Sequence, residues 1–473
     1  VNPTAVILVV GLNHSLIGDH CPRICDFMKA GGSRRLKPVL PAVTTTVQAS
    51  MLTGMSPSKH GIVANGWYHR EQAEVQFWKQ SNALVHGEKV WETARKRDAS
   101  FSVLNMFWWY NMYSSADYSV TPRPMYKADG RKIPDCYSHP SSLRDELQAE
   151  LGTFPLFHFW GPGSSIKSSR WIADATMLAH RQTQPTLTLV YLPHLDYPLQ
   201  KYGPPTRSAD AAAMKLRSED AAAWNAVREI DVVVGDLLDY FAKHNVRPMI
   251  VSEYGIEAVD DSIHINRKLR EAGLLHVREE QGLELLDAGA SDAFAVVDHQ
   301  IAHVYAGRGF ARMNELIDLC QSIPGVEHVL DRDAQKQWNI SHERSGDLVL
   351  ISDSKHWFSY DYWLDDAKAP DFARTVDIHR KPGYDPLELF IDPAIAFPKL
   401  KIAWRLFQRK LLKQRALLDL IPLDTKLVRG SHGRIDQPAE IQPVVISHQP
   451  LPDGEELPCT MVRDLILASL FDV

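Results

Sequence analysis

Three consecutive threonines, Thr44 to Thr46, stand in the segment LPAVTTTVQASMLTGMSPSKHGIVANGW (residues 40–67), where a helix is expected to start. A hydroxyl at that place meets unpaired amide donors and the positive end of the helix dipole. Such a setting binds phosphate and favours an alkoxide attacking it. The same run serves equally well as an N-cap, so on its own it leaves both readings open. Further groups suited to metal ligation or proton transfer are scattered along the chain. They include His194 and Asp196 in PHLDYPLQKYGP (193–204) and Asp298, His299 and His303 in DHQIAH. Asp377 and His379 stand beside Arg380 and Lys381, which would join a ligand to phosphate-binding charge. Taken singly, each of these histidines reads as a hydrogen-bonded structural residue.

The elements that must position these groups alternate between strand and helix. Val6–Val10 is a continuous apolar run, as a buried parallel strand requires. Thr186–Leu192, Val246–Ser252 and Asp347–Ser352 have the same character. Between the second and third lies Glu219–Asn245, with Ile230, Val233, Leu237 and Phe241 at helical spacing. Strand, helix, strand implies a right-handed crossover, and the chemistry of open α/β sheets sits at the carboxyl ends of the strands. Residues 67–180 interrupt the alternation with Phe107, Trp108, Trp109, Tyr110 and Tyr113 and a Pro-rich stretch. A binding wall and an aromatic core patch are equal readings of that excursion. Residues 353–425 form a second insert, and one domain over 1–473 is expected to carry both.

The order of blocks resembles the type I phosphodiesterase/nucleotide pyrophosphatase branch of the alkaline phosphatase superfamily. The pattern is Thr44, then Thr53-Gly54, His60-Gly61-Ile62-Val63 and Asn65. VVGL (9–12), PHLDYPLQKYGP, SEYGI (252–256), HINRKLREAGLL (264–275) and GSHG (430–433) follow the family's order over nearly the whole chain. The resemblance implies a three-layer α/β sandwich around a mostly parallel sheet, with inserted cap segments. It also implies Thr44 as nucleophile, Asn65 as a donor to a phosphoryl oxygen, and two divalent metals, usually zinc, about 4 Å apart.

Carried across residue by residue, the metal ligands are incomplete. Val10 stands where an aspartate precedes Gly11, Gln200 where a histidine follows Asp196, and Glu253-Tyr254 where an Asp-His pair is expected. Asp196 and His432 survive. Amide and phenol oxygens are poor zinc ligands, and valine binds nothing. At most one divalent ion is therefore expected, zinc first, at Asp196 and His432 with Glu253 or another histidine completing the set; no ion at all is the other outcome. Gln200, Tyr254, His379, Arg380, Trp108 and Trp109 are expected to contact substrate.

Composition is that of an ordinary globular chain: 473 residues, 45% hydrophobic, 23% charged, net charge −6. Nothing in that balance calls for nucleic acid. Five cysteines and a short N-terminal apolar run without a basic start lead to an expectation of a cytoplasmic protein. Lys399–Arg415 carries seven basic and no acidic residues, which leaves the rest at −13. Its stripe of Leu400, Ala403, Trp404, Phe407 and Leu411 is expected to pack on the body, with docking at an anionic membrane as the alternative. The function expected is hydrolysis or transfer at a phosphoric ester by a threonine nucleophile with a reduced metal centre. The alternative is a descendant that binds a phosphorylated small molecule without that chemistry.

Overall fold

The computed structural model describes residues 1–128, 131–205, 218–412 and 416–471. The first apolar run forms the strand Thr4–Val9, every residue of it buried. It lies at the centre of a nine-stranded sheet. The order is Glu456–Pro458, Gly32–Lys37, Val444–Ser447, Arg247–Val251, Thr4–Val9, Leu187–Leu192, Val103–Met106, Tyr118–Pro122 and Cys136–His139. The five strands from Arg247–Val251 to Tyr118–Pro122 are parallel. Parallel strands buried on both faces need helical cover. Ile166–Thr183 packs on Leu187–Leu192 and on Ser218–Lys243, while Val462–Phe471 packs on Thr4–Val9 and on Thr44–Thr53. The helix Ser218–Lys243 carries the chain from Leu187–Leu192 across the central strand to Arg247–Val251, the crossover expected from the sequence.

Two expectations are corrected. Asp347–Ser352 was expected to be a parallel strand, but Leu348–Ser352 is antiparallel to both its neighbours. It belongs to a separate sheet with Ala293–Asp298, Ile301–Ala306 and Val326–Leu330. It is an interior strand there, so burial alone produces the same continuous apolar run. The basic segment forms the helix Pro398–Lys410, yet its stripe does not pack on the body: Leu400 is 69% exposed and Trp404 54%. The inward side is instead set by Lys401 and Arg405, which pair with Asp419 at 2.9 and 3.1 Å. All five cysteines are free, and among the described residues no helix is long and apolar enough to cross a membrane.

Candidate active site

The threonine run does not cap its helix. Val43 is the N-cap of Thr44–Thr53, and its own side chain makes no capping hydrogen bond. The Thr44 hydroxyl lies 3.0 Å from that of Tyr254, and the Thr45 hydroxyl donates to the Ala64 carbonyl at 3.0 Å. Asn65 serves the helix N-terminus directly, its Oδ1 accepting the Thr45 N–H at 3.0 Å. Asn65 is fixed in turn by Asp298, which accepts its backbone N–H at 2.7 Å and its side-chain amide at 3.1 Å. The helix ends at Gly54 with φ of 70°, a left-handed conformation that glycine adopts without a Cβ clash.

Asp196 begins the helix Asp196–Tyr202 just beyond the carboxyl end of Leu187–Leu192. One turn on, Gln200 donates to Asp196 Oδ2 at 2.9 Å and accepts from the Tyr384 hydroxyl at 2.8 Å. His432 donates Nδ1–H to the Ala42 carbonyl at 2.8 Å, which leaves Nε2 as a lone-pair atom. That Nε2 lies 3.9 Å from Asp196 Oδ1, and neither atom has a hydrogen-bond partner. Four rings stack through the site. Tyr254 lies on His432 with centroids 3.5 Å apart, His432 is 3.7 Å from His299, and His299 is 3.7 Å from Tyr384.

Charge is managed by burial. Desolvation pushes the Asp196 carboxyl up to about 7, and Glu253 well above the usual carboxylate range. Desolvation holds His432 down to about 3, so it is neutral at physiological pH. Glu253 Oε1 accepts from Gln48 at 2.5 Å while its Oε2 is buried without a partner. Two buried carboxyls beside one threonine need a proton or a cation to be tolerated. The orphaned Asp196 Oδ1 and His432 Nε2, aimed at each other, fit one divalent ion. A second ion finds Val10, Glu253 and Tyr254 about Thr44, and that donor set does not fit. Among the described residues no group of three His, Cys, Asp or Glu side chains gathers to hold an ion.

Thr44, Asp196 and His299 are buried polar residues lining a cavity of about 2410 Å³. Trp78, Trp109, Trp160, Tyr191, Tyr197 and Tyr384 supply aromatic walls, and Lys79, Arg123, Lys132, His379 and Arg380 supply cationic or imidazole groups. The long aromatic excursion divides between the cavity lining and the core. Trp109 lines the cavity with its backbone N–H held by Gln48 Oε1 at 2.7 Å, whereas Trp108 is wholly buried in the main core and does not line it. Asn65, Gln200, Glu253, Tyr254 and His432 stand behind the cavity lining. Lys381 is buried between Asp385 and Glu388, 2.7 Å from each, so its charge is spent internally. His303 has both ring nitrogens engaged, by the Val63 carbonyl and the Gly346 N–H, and His194 binds Glu229 at 2.9 Å.

Three site residues were not singled out from the sequence: Gln48, Tyr384 and the supporting role of Asp298. Gln48 had a signal, since it follows Thr44 by four positions on one helix and so shares its face. Tyr384 and Asp298 come from the second insert and the small sheet, and no spacing connects them to Thr44.

The model of the type I phosphodiesterase/nucleotide pyrophosphatase family matches residues 4–385. The chain belongs to this family. Its members typically use divalent metals such as zinc. The fold, of the alkaline phosphatase type, is shared with solved structures of low identity. One is phosphonoacetate hydrolase from Sinorhizobium meliloti in complex with phosphonoformate: TM-score 0.59, 14% identity, covering 99% of this chain and 96% of that one. Another is murine ectonucleotide pyrophosphatase/phosphodiesterase 5, an inactive threonine-to-alanine variant in complex with AMP: TM-score 0.58, 12% identity, covering 99% and 95%. An uncharacterized pyrophosphatase/phosphodiesterase of Schizosaccharomyces pombe is 22% identical over 237 residues, 48% of this chain but only 39% of that protein.

Proposed function

We propose that this phosphodiesterase-family chain hydrolyses phosphoric esters or anhydrides of small molecules, with Thr44 as the nucleophile. The observation that carries the reading is the placement of Thr44 at a helix N-terminus on the wall of the cavity that Asp196 also lines, 3.0 Å from the Tyr254 hydroxyl. The inactivity of the murine relative's threonine-to-alanine variant supports it, as does that protein's complex with AMP. A phosphoryl group between Thr44 and Asp196 would meet the helix N-terminus on one side and an aromatic wall on the other.

The Thr44 oxygen forms a bond to phosphorus while the bond from phosphorus to the leaving oxygen breaks. In its ionised form Glu253, made more basic by burial, takes the Thr44 proton, and with no ion bound the acid form of Asp196, poised near neutrality, supplies one to the leaving oxygen. Water then cleaves the threonyl phosphate and restores the hydroxyl. Asn65, behind the cavity lining, holds the helix terminus that presents Thr44. Were a divalent ion held instead by His432 and the ionised Asp196, it would supply positive charge in place of the Asp196 proton. Lys132 on the cavity wall is placed to attract an anionic substrate, whereas the Arg380 guanidinium is paired with Asp377 at 2.7 Å and Asp371 at 3.4 Å.

Val10 and Tyr254 favour one second reading, a protein that binds a phosphorylated small molecule without turning it over. A panel of p-nitrophenyl phosphate esters and nucleotide anhydrides, with zinc, manganese or magnesium added in turn, separates the two. Turnover above background on any member supports hydrolysis, and binding without turnover on all of them supports the second reading.

A further inference from the structure

The helix Pro398–Lys410 exposes apolar side chains that nothing in the described structure covers. Phe397 is 73% exposed, Leu400 69% and Leu411 69%; Trp404 and Phe407 are exposed too and stack on each other at 5.5 Å. At roughly 100° per residue, positions 400, 404, 407 and 411 fall in one narrow stripe. Lys399 lies exposed on one flank of it; Lys401 and Arg405, on the other side, are paired with Asp419, and Ile402 points away from the stripe and lines the cavity. The row is straight, a shape suited to a flat surface.

We propose that this helix docks the protein on an anionic lipid bilayer, with Leu400, Trp404, Phe407 and Leu411 entering the headgroup boundary. The charge chooses the partner. Seven basic and no acidic residues over 399–415, on a chain that is otherwise at −13, make this stretch attractive to an anionic surface and the remainder repelled by it. A second copy of the chain would bring the same cations together, which disfavours the stripe as a self-association face. An indole beside Leu and Phe on a basic amphipathic helix suits the interface plane, where an apolar stripe and flanking cations are satisfied together. Docking there would hold the cavity directly beneath the lipid surface, since the opposite side of the helix forms part of its wall. The inference does not depend on turnover.

The test is co-sedimentation of the full chain with vesicles of phosphatidylcholine alone and of phosphatidylcholine with phosphatidylserine. Binding to the anionic vesicles only, released by high salt, is expected. The double variant Trp404→Ser, Phe407→Ser should bind on the order of tenfold more weakly or less. Its thermal unfolding midpoint should match the parent, since both side chains are exposed; should it fail to fold, Leu400→Ser alone gives the same comparison. Equal binding to both vesicles, no binding to either, or binding unaffected by these substitutions would overturn the proposal. A dimer of the parent chain that the double variant converts to monomer would also overturn it, and would give the stripe to a second copy.

Discussion

Tyr254 lies flat on His432, ring centroids 3.5 Å apart and planes 8° apart, while its hydroxyl reaches Thr44 Oγ1 at 3.0 Å. One residue thereby touches the proposed nucleophile and one of the two residues that could hold an ion. Burial pushes the Tyr254 phenol well above its ordinary range, so it acts as a neutral hydrogen-bonding group and not as an anionic ligand. Tyr254→Phe keeps the stack and removes the contact with Thr44. The expected outcome is kcat lower by about tenfold, the cost of one hydrogen bond, with KM little changed. Steady-state kinetics on the best ester of the panel checks it; a change confined to KM would assign Tyr254 to substrate binding instead.

The metal content should be low. After dialysis, elemental analysis is expected to find no more than one zinc per chain, and Asp196→Asn should lower that figure. Close to two zinc ions per chain would contradict the reading of Val10 and Tyr254 as broken ligand positions.

Asp298 should matter although it stands behind the substrate cavity. It accepts two hydrogen bonds from Asn65, which in turn holds the first turn of the Thr44 helix. Asp298→Ala leaves buried donors unpaired and is expected to cost about 1–3 kcal/mol in denaturant unfolding. The kcat should fall with it, whereas Asp298→Asn, which keeps one acceptor oxygen, should lie between the two.

How much of this was readable in the sequence depended on locality. The Thr44 helix, the Asp196 turn and the parallel strands announce themselves through runs and spacings within one element. The link from Asp298 to Asn65 and that from Tyr384 to Gln200 join distant segments, and only the folded chain brings them together. The basic helix shows the other limit. Its pattern establishes that one side is apolar, but the direction that side faces is decided by partners elsewhere, here Asp419. Trp108 and Trp109 show the same thing at the scale of one residue, one indole in the core and its neighbour on the cavity wall.

Two buried histidines should each withdraw stability in mild acid. In His60 and in His303, Nδ1 accepts a backbone N–H and Nε2–H donates, so each is locked as a neutral imidazole. Burial holds their folded pKa values at about 3 and about 4, below the ordinary 6.5. Below 6.5 the unfolded chain therefore binds more protons, and each of these residues removes stability as pH falls from 6.5 toward its folded value. The slope approaches about 1.4 kcal/mol per pH unit for each histidine. Asp196 and Asp298, pushed up to about 7 by burial, act in the opposite sense, so the check is the difference between parent and His303→Gln in denaturant unfolding at pH 7 and pH 5; the variant should show less loss on acidification, and an equal loss in both would contradict it.

The most direct test of the proposed chemistry is the hydrolysis rate of the Thr44→Ala variant beside the parent, on the same p-nitrophenyl ester and in the same metal. Loss of a nucleophile that forms a covalent intermediate should lower kcat by at least about a thousandfold, with Thr44→Ser keeping a measurable part of the activity. Turnover in Thr44→Ala within a few-fold of the parent would contradict the account, because no other residue on the cavity wall has been given the role of attacking phosphorus.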